Sequence, residues 1–230
     1  MNFSLFWRWP AGGGAEREEL VHLFHMGLYE NYILPPLIHL ACGAKPNMRQ
    51  REKVVPLAEG EVLEIGMGSG LNLGYYDTQK VRKVWGLEPS PGMRQLARKN
   101  MDGVKLDVEM IDLPGEEIPL DSNSVDTVVV TYTLCTIPDA GRALEGMRRV
   151  LRPGGRLLFC EHGVAPDAGV RKWQDRINPT WRRFAGGCNV NRDIPALLEA
   201  AGFRTLVDER MYLPGFKLLS YNYWGSAVAD

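Results

Sequence analysis

Residues 62–160 alternate short apolar runs with helical segments, and nothing else in the chain constrains its fold as strongly. The strand-like runs fall at 62–65, 84–87, 106–111, 125–131 and 157–160. The segments between them at 71–76, 91–100 and 139–151 read as helices. Pro91 suits a first helical turn, and Asp139 suits an N-cap. A β-α-β-α order of this kind implies a mostly parallel sheet with helices on both faces. Past residue 161 the rhythm loosens, and 163–190, rich in Trp, Arg, Gly and Pro, reads as a loop. A helix over 193–201 closed by Gly202 follows. Two more runs, 204–211 and 217–224, meet through Pro214-Gly215. They are too close for a parallel crossover, so the sheet should end in an antiparallel hairpin.

Ahead of this region, Leu20, Val21, Leu23, Phe24 and Leu28 have helical spacing over 16–30. Pro35-Pro36 then breaks the chain, and 37–42 forms a second short helix closed by Gly43. This divides the chain into a helical cap, 1–50, and a main domain, 51–230. The opening MNFSLFWRWP is no secretory signal. Its aromatic residues either pack over the domain or touch a membrane surface peripherally, since Trp favours that interface. No run of about 20 apolar residues spans a membrane. With 27 basic and 28 acidic residues the net charge is −1, which argues against a nucleic-acid partner. Cys42, Cys135, Cys160 and Cys188 form no CxxC pair and show no zinc spacing with histidine, so no metal is expected. Cys135 and Cys160 lie in apolar runs as small buried hydrophobes, which fits a reducing, cytoplasmic setting.

The candidate ligand site follows the first strand directly, at Glu64-Ile65-Gly66-Met67-Gly68-Ser69-Gly70. Glycines permit a sharp turn and a close ligand approach, and a helix start can present free N–H groups. Leu71 stands where a dinucleotide fingerprint has its third glycine, which counts against NAD or FAD. Glu88 ends the next strand, where a carboxylate can accept both hydroxyls of an adenosine ribose.

These segments resemble the class I S-adenosylmethionine-dependent methyltransferases. EIGMGSG is similar to the first motif of that family, and GLEPSPGM (86–93) to its ribose-binding strand end. Residues 113–134 resemble the adenine-contacting stretch and fourth strand, and RRVLRPGGRLLF (148–159) the turn into the fifth strand. The resemblance implies a Rossmann-like seven-stranded sheet with an antiparallel last strand, and S-adenosylmethionine as cofactor. It implies cofactor contacts from Glu64, Gly66, Gly68, Ser69, Gly70, Glu88, Pro89, Met93 and Thr133. Where many relatives have Asp-Ala beside adenine this chain has Leu113-Pro114-Gly115-Glu116, so Glu116 is the candidate there.

Farther on, Cys160-Glu161-His162, Trp173-Gln174, Pro179-Trp181, Gly187-Cys188-Asn189 and Arg192 resemble a subgroup containing the animal thiol S-methyltransferases, with bacterial phospholipid and quinone methyltransferases as relatives. His162, just past the fifth strand, is either the base that deprotonates an acceptor or a histidine bonded within the loop. Tyr132, Trp173 and Trp181 either line an apolar acceptor pocket or belong to the core. Asn189 and Arg192 are candidates for a polar substrate tail. The expected reaction is methylation of a small apolar acceptor, a thiol first. A thiol with an ordinary pKa of about 8.5 is already partly ionised near neutrality. The alternatives are N-methylation of a phospholipid head group, C-methylation of a quinone, or a non-catalytic binding module.

Overall fold

The computed structural model describes residues 28–229. Five strands run parallel in the order of their crossovers: β1 (Gly60–Ile65), β2 (Val81–Leu87), β3 (Asp107–Ile111), β4 (Val125–Thr131) and β5 (Leu151–His162). β6 (Phe203–Tyr212) and β7 (Tyr221–Ala229) complete a seven-stranded sheet of order β3-β2-β1-β4-β5-β7-β6. β7 is antiparallel to both of its neighbours. The sheet is thus mostly parallel with an antiparallel end, as the alternation and the terminal hairpin predict.

The continuous apolar runs reflect a sheet buried on both faces. Side chains alternate along each strand. Leu63, Ile65, Val128, Val130, Leu157 and Phe159 therefore meet one core layer, which includes Leu144 and Met147 of helix α4 (Ala140–Val150). Val62, Val84, Val129 and Leu158 meet the other, which includes Val54 of helix α2 (Lys45–Val54) and Leu73. The remaining helices are α1 (Leu34–Cys42), α3 (Pro91–Met101), α5 (Ala168–Phe184) and α6 (Ile194–Ala200). Asp139, Ser90 and Asp193 cap α4, α3 and α6 through their side chains.

Four sequence expectations need correction. Pro35-Pro36 does not break the chain: both residues lie in the first turn of α1, where a missing N–H costs little, behind a π-helical turn at Tyr29–Ile33. The helix expected over 71–76 is a set of turns with one 3-10 turn, Leu73–Tyr75, because the wholly buried Asn72 is drawn inward to bond Glu64 and Thr131. The strand expected from 217 begins only at Tyr221, after a 3-10 turn at Lys217–Leu219. The loop expected over 163–190 is largely the 17-residue helix α5. Val170, Trp173, Ile177, Trp181 and Phe184 carry a helical rhythm that Pro179 and the arginines mask. Gln174, wholly buried, anchors that helix by accepting from the Ala165 N–H and donating to the carbonyls of Gly163, Val190 and Leu218. The helix expected over 16–30 and the opening aromatic segment lie outside the described residues, apart from 28–30.

Candidate active site

β1 is flanked by β2 on one side and β4 on the other, which makes its carboxyl end the switch point where open α/β sheets bind ligands. A cavity of about 710 Å³ opens there, within the ~300–1,000 Å³ usual for small-molecule sites. The glycine turn forms its floor. Gly66 and Gly68 have φ of 64° and 59°, a region that side chains with a Cβ rarely enter. A Cβ on Gly66 would stand 2.3 Å from the Thr133 side chain, so the turn and the end of β4 are in contact only because it is absent.

Glu88 reaches into this cavity from the end of β2. Its two oxygens accept from the Gly68 and Ser90 N–H groups at 2.9 and 2.8 Å. Burial raises its pKa, while those two backbone bonds lower it. One acceptor position on each oxygen is thereby fixed and the others remain for a ligand. Pro89, Met93, Ser69, Glu116 and Thr133 also line the cavity. A bare-backbone turn beside an anchored carboxylate fits the ribose and chain of S-adenosylmethionine, which when bound supplies an activated methyl on a sulfonium.

Two of the expected cofactor residues do not line the cavity. Glu64 lies beneath it, accepting from Asn72 Nδ2 at 2.9 Å and Tyr76 Oη at 2.7 Å. Gly70 closes the turn through its N–H to the Met67 carbonyl. Tyr132 does line it, with its backbone at φ 54°. Among the other substrate candidates, Trp173 is 55% exposed on α5 under Arg176. Trp181 stands beside Cys188. Asn189 is spent on the Cys135 carbonyl, and Arg192 on the carbonyls of Leu134 and Pro138. None of these four lines the cavity, because α5 carries its apolar stripe elsewhere and the Asn189 and Arg192 bonds fasten the loops after β4. His162 also stands outside the lining, with Nε2 at 3.3 Å from Cys188 Sγ.

The other wall comes mainly from the region expected as a helical cap, but sequence reasoning named none of its residues for the site. α1 contributes Leu34, Ile38, His39 and Cys42, and α2 contributes Arg51. Arg51 is 4% exposed. Its Nη1 donates to Asn72 Oδ1 at 2.7 Å and Thr131 Oγ1 at 2.5 Å, and its guanidinium lies 5.1 Å from the Tyr132 ring centre. Its Nε is buried with no hydrogen-bond partner among the described residues. In the sequence it is one cation in the polar run 49–53, with nothing local to mark it as buried.

Burial pushes the Glu64 carboxyl up from 4.5 to about 7, against the pull of Tyr76, Arg51 and Asn72. The folded chain therefore holds this proton at pH values where the unfolded chain has lost it. That stabilisation is complete below about 4.5 and is lost as pH rises through about 7. The thermal midpoint of the protein should fall between pH 5 and 8, and in Glu64→Gln the fall should be shallower. Equal slopes by differential scanning fluorimetry would show that Glu64 is ionised in both states.

A family model described as a methyltransferase domain matches residues 63–159. The human thiol S-methyltransferase TMT1A is 31% identical over 179 residues, covering 75% of this chain and 72% of that protein. The human thiol S-methyltransferase TMT1B is 36% identical over 163 residues, 68% of this chain and 66% of its own length. A phosphatidylethanolamine N-methyltransferase of Cereibacter sphaeroides is 30% identical, over 53% of this chain and 61% of its own. Among solved structures, a possible histamine N-methyltransferase of Thermotoga maritima superposes with a TM-score of 0.62 at 20% identity, over 89% of this chain and 99% of that one.

Proposed function

The chain belongs to the class I S-adenosylmethionine-dependent methyltransferases, and within that family we propose that it methylates the sulfur of a small apolar thiol. S-adenosylmethionine is the methyl donor, and the enzyme's part is to hold donor and acceptor at attack distance while excluding water.

One observation carries the choice of acceptor: among the described residues, the cavity wall offers a buried cation but no unengaged buried base. Arg51 faces the cavity, whereas the Glu64 carboxylate is taken up by Asn72 and Tyr76. His39 is bonded to Ser69 Oγ at 2.7 Å, and His162 to Cys188. An acceptor that ionises by itself near neutral pH suits such a wall, and a nearby guanidinium favours its anion. Amines and phenols draw more on a positioned base, worth 10²–10⁴-fold. Leu34, Ile38 and Ile137 give the same cavity an apolar lining that selects by shape. The two human relatives bear thiol S-methyltransferase names.

A second reading, a membrane-borne phospholipid or quinone acceptor, has one observation in its favour. Tyr32, Leu37 and Leu40, on and just before α1, are 71%, 53% and 73% exposed beside the cavity-lining residues of that helix. No helix among the described residues is long and apolar enough to cross a membrane.

The deciding experiment incubates the full chain with methyl-labelled donor and matched thiol, amine, phenol and lipid acceptors. The expected result is labelled thioether, with a rate that rises with pH through the ionisation of the thiol. Label confined to an amine or to lipid in vesicles would replace the thiol with the second reading.

A further inference from the structure

Behind the cavity wall, three loops bring together groups that the sequence keeps far apart. Cys135 follows β4, His162 ends β5 and Cys188 follows α5. Their ligand atoms, two sulfurs and a ring nitrogen, all lie within 4.8 Å of one another. Cys188 Sγ and His162 Nε2 are 3.3 Å apart. We propose that Cys135, His162 and Cys188 form a binding site for one thiophilic divalent cation, with Zn²⁺ as the reference ion.

The geometry and the surroundings support this. Zinc–sulfur bonds of about 2.3 Å and zinc–nitrogen bonds of about 2.0–2.1 Å, set tetrahedrally, place ligand atoms roughly 3.5–3.8 Å apart. One pair of the present cluster is already at 3.3 Å, and the widest, within 4.8 Å, would close by up to about an ångström to reach that spacing. The backbone around it is already tied. The Asn189 N–H and Nδ2 both donate to the Cys135 carbonyl, at 2.8 and 2.9 Å, and the Thr133 and Leu134 N–H groups donate to Glu161 Oε1. Glu161 lies within electrostatic reach of Cys135 and His162. Its Oε2 is buried with no hydrogen-bond partner among the described residues.

Binding forms two metal–sulfur bonds and one metal–nitrogen bond. The thiol protons of Cys135 and Cys188 pass to solvent, and His162 binds as the neutral ring. Three protein ligands leave a fourth position for a non-protein donor. The ion would fasten the ends of β4 and β5 to the segment carrying Gly186 and Gly187, both of which line the cavity.

The test titrates the full, reduced, chelator-treated chain with Co²⁺ and then with Zn²⁺. The expected result is one equivalent of cobalt with a thiolate-to-cobalt charge-transfer band, removed by zinc. Cys188→Ser and Cys135→Ser should each weaken binding roughly tenfold or more, while Cys42→Ser leaves the band intact. A measurement on the unsubstituted chain guards against misfolded variants: zinc should protect the partly exposed Cys188 from iodoacetamide, read by peptide mass spectrometry. Absence of stoichiometric cobalt, a band that survives both cysteine substitutions, or equal alkylation with and without zinc would overturn the site. So would a Cys135–Cys188 disulfide formed with peroxide in protein that takes up no metal.

Discussion

Glu88→Ala should weaken binding of S-adenosylmethionine, or of its demethylated product, by about tenfold or more. The carboxylate is a charged acceptor in a mostly buried setting, and such a bond contributes about 1.5–3 kcal/mol. Its loss acts twice, because Glu88 also holds the Gly68 and Ser90 N–H groups and thereby sets the turn against the start of α3. Glu88→Gln keeps the shape and one acceptor, so its loss should be smaller. Calorimetry with the demethylated product, alongside a thermal midpoint for the unliganded protein, separates lost contact from lost folding. Unchanged affinity in the alanine variant would put the ribose elsewhere in the cavity.

Arg51→Met should cost the fold roughly 1–3 kcal/mol, the usual result of leaving buried hydrogen-bond partners without their donor. Asn72 Oδ1 and Thr131 Oγ1 lose their shared donor. Glu64 loses the cation that partly offsets its burial, so its proton is held still more firmly. The urea midpoint should fall with little change in the slope of the transition. Arg51→Lys keeps the charge but offers a point donor in place of the planar fork, and should recover only part of the loss. A midpoint within error of the parent would mean that the guanidinium is dispensable to folding.

Much of the architecture was legible because its causes are local. Strand runs announce themselves where a sheet is buried on both faces, as at 125–131. Gly66 and Gly68 stand out because left-handed backbone excludes most other residues, and Glu88 because it ends the strand beside them. α5 was hidden because its helical rhythm is crossed by Pro179 and arginines, and because the residue that anchors it, Gln174, bonds to carbonyls as far away as Leu218. The expected roles of Trp173, Trp181, Asn189 and Arg192 rested on order along the chain, which does not say which face of a helix or loop meets a cavity.

What the sequence by itself determined is the layered sheet, its antiparallel end and the glycine turn with its carboxylate, since each follows from spacing over a few residues. What only the tertiary structure decided is which residues form the far wall of the site, Arg51 above all, and the Cys135–His162–Cys188 cluster. Arg51 meets Thr131 across 80 positions, and His162 meets Cys188 across 26. Contacts at that range are set by how crossovers stack helices against the sheet, and burial that arises there leaves no periodicity in the chain to read.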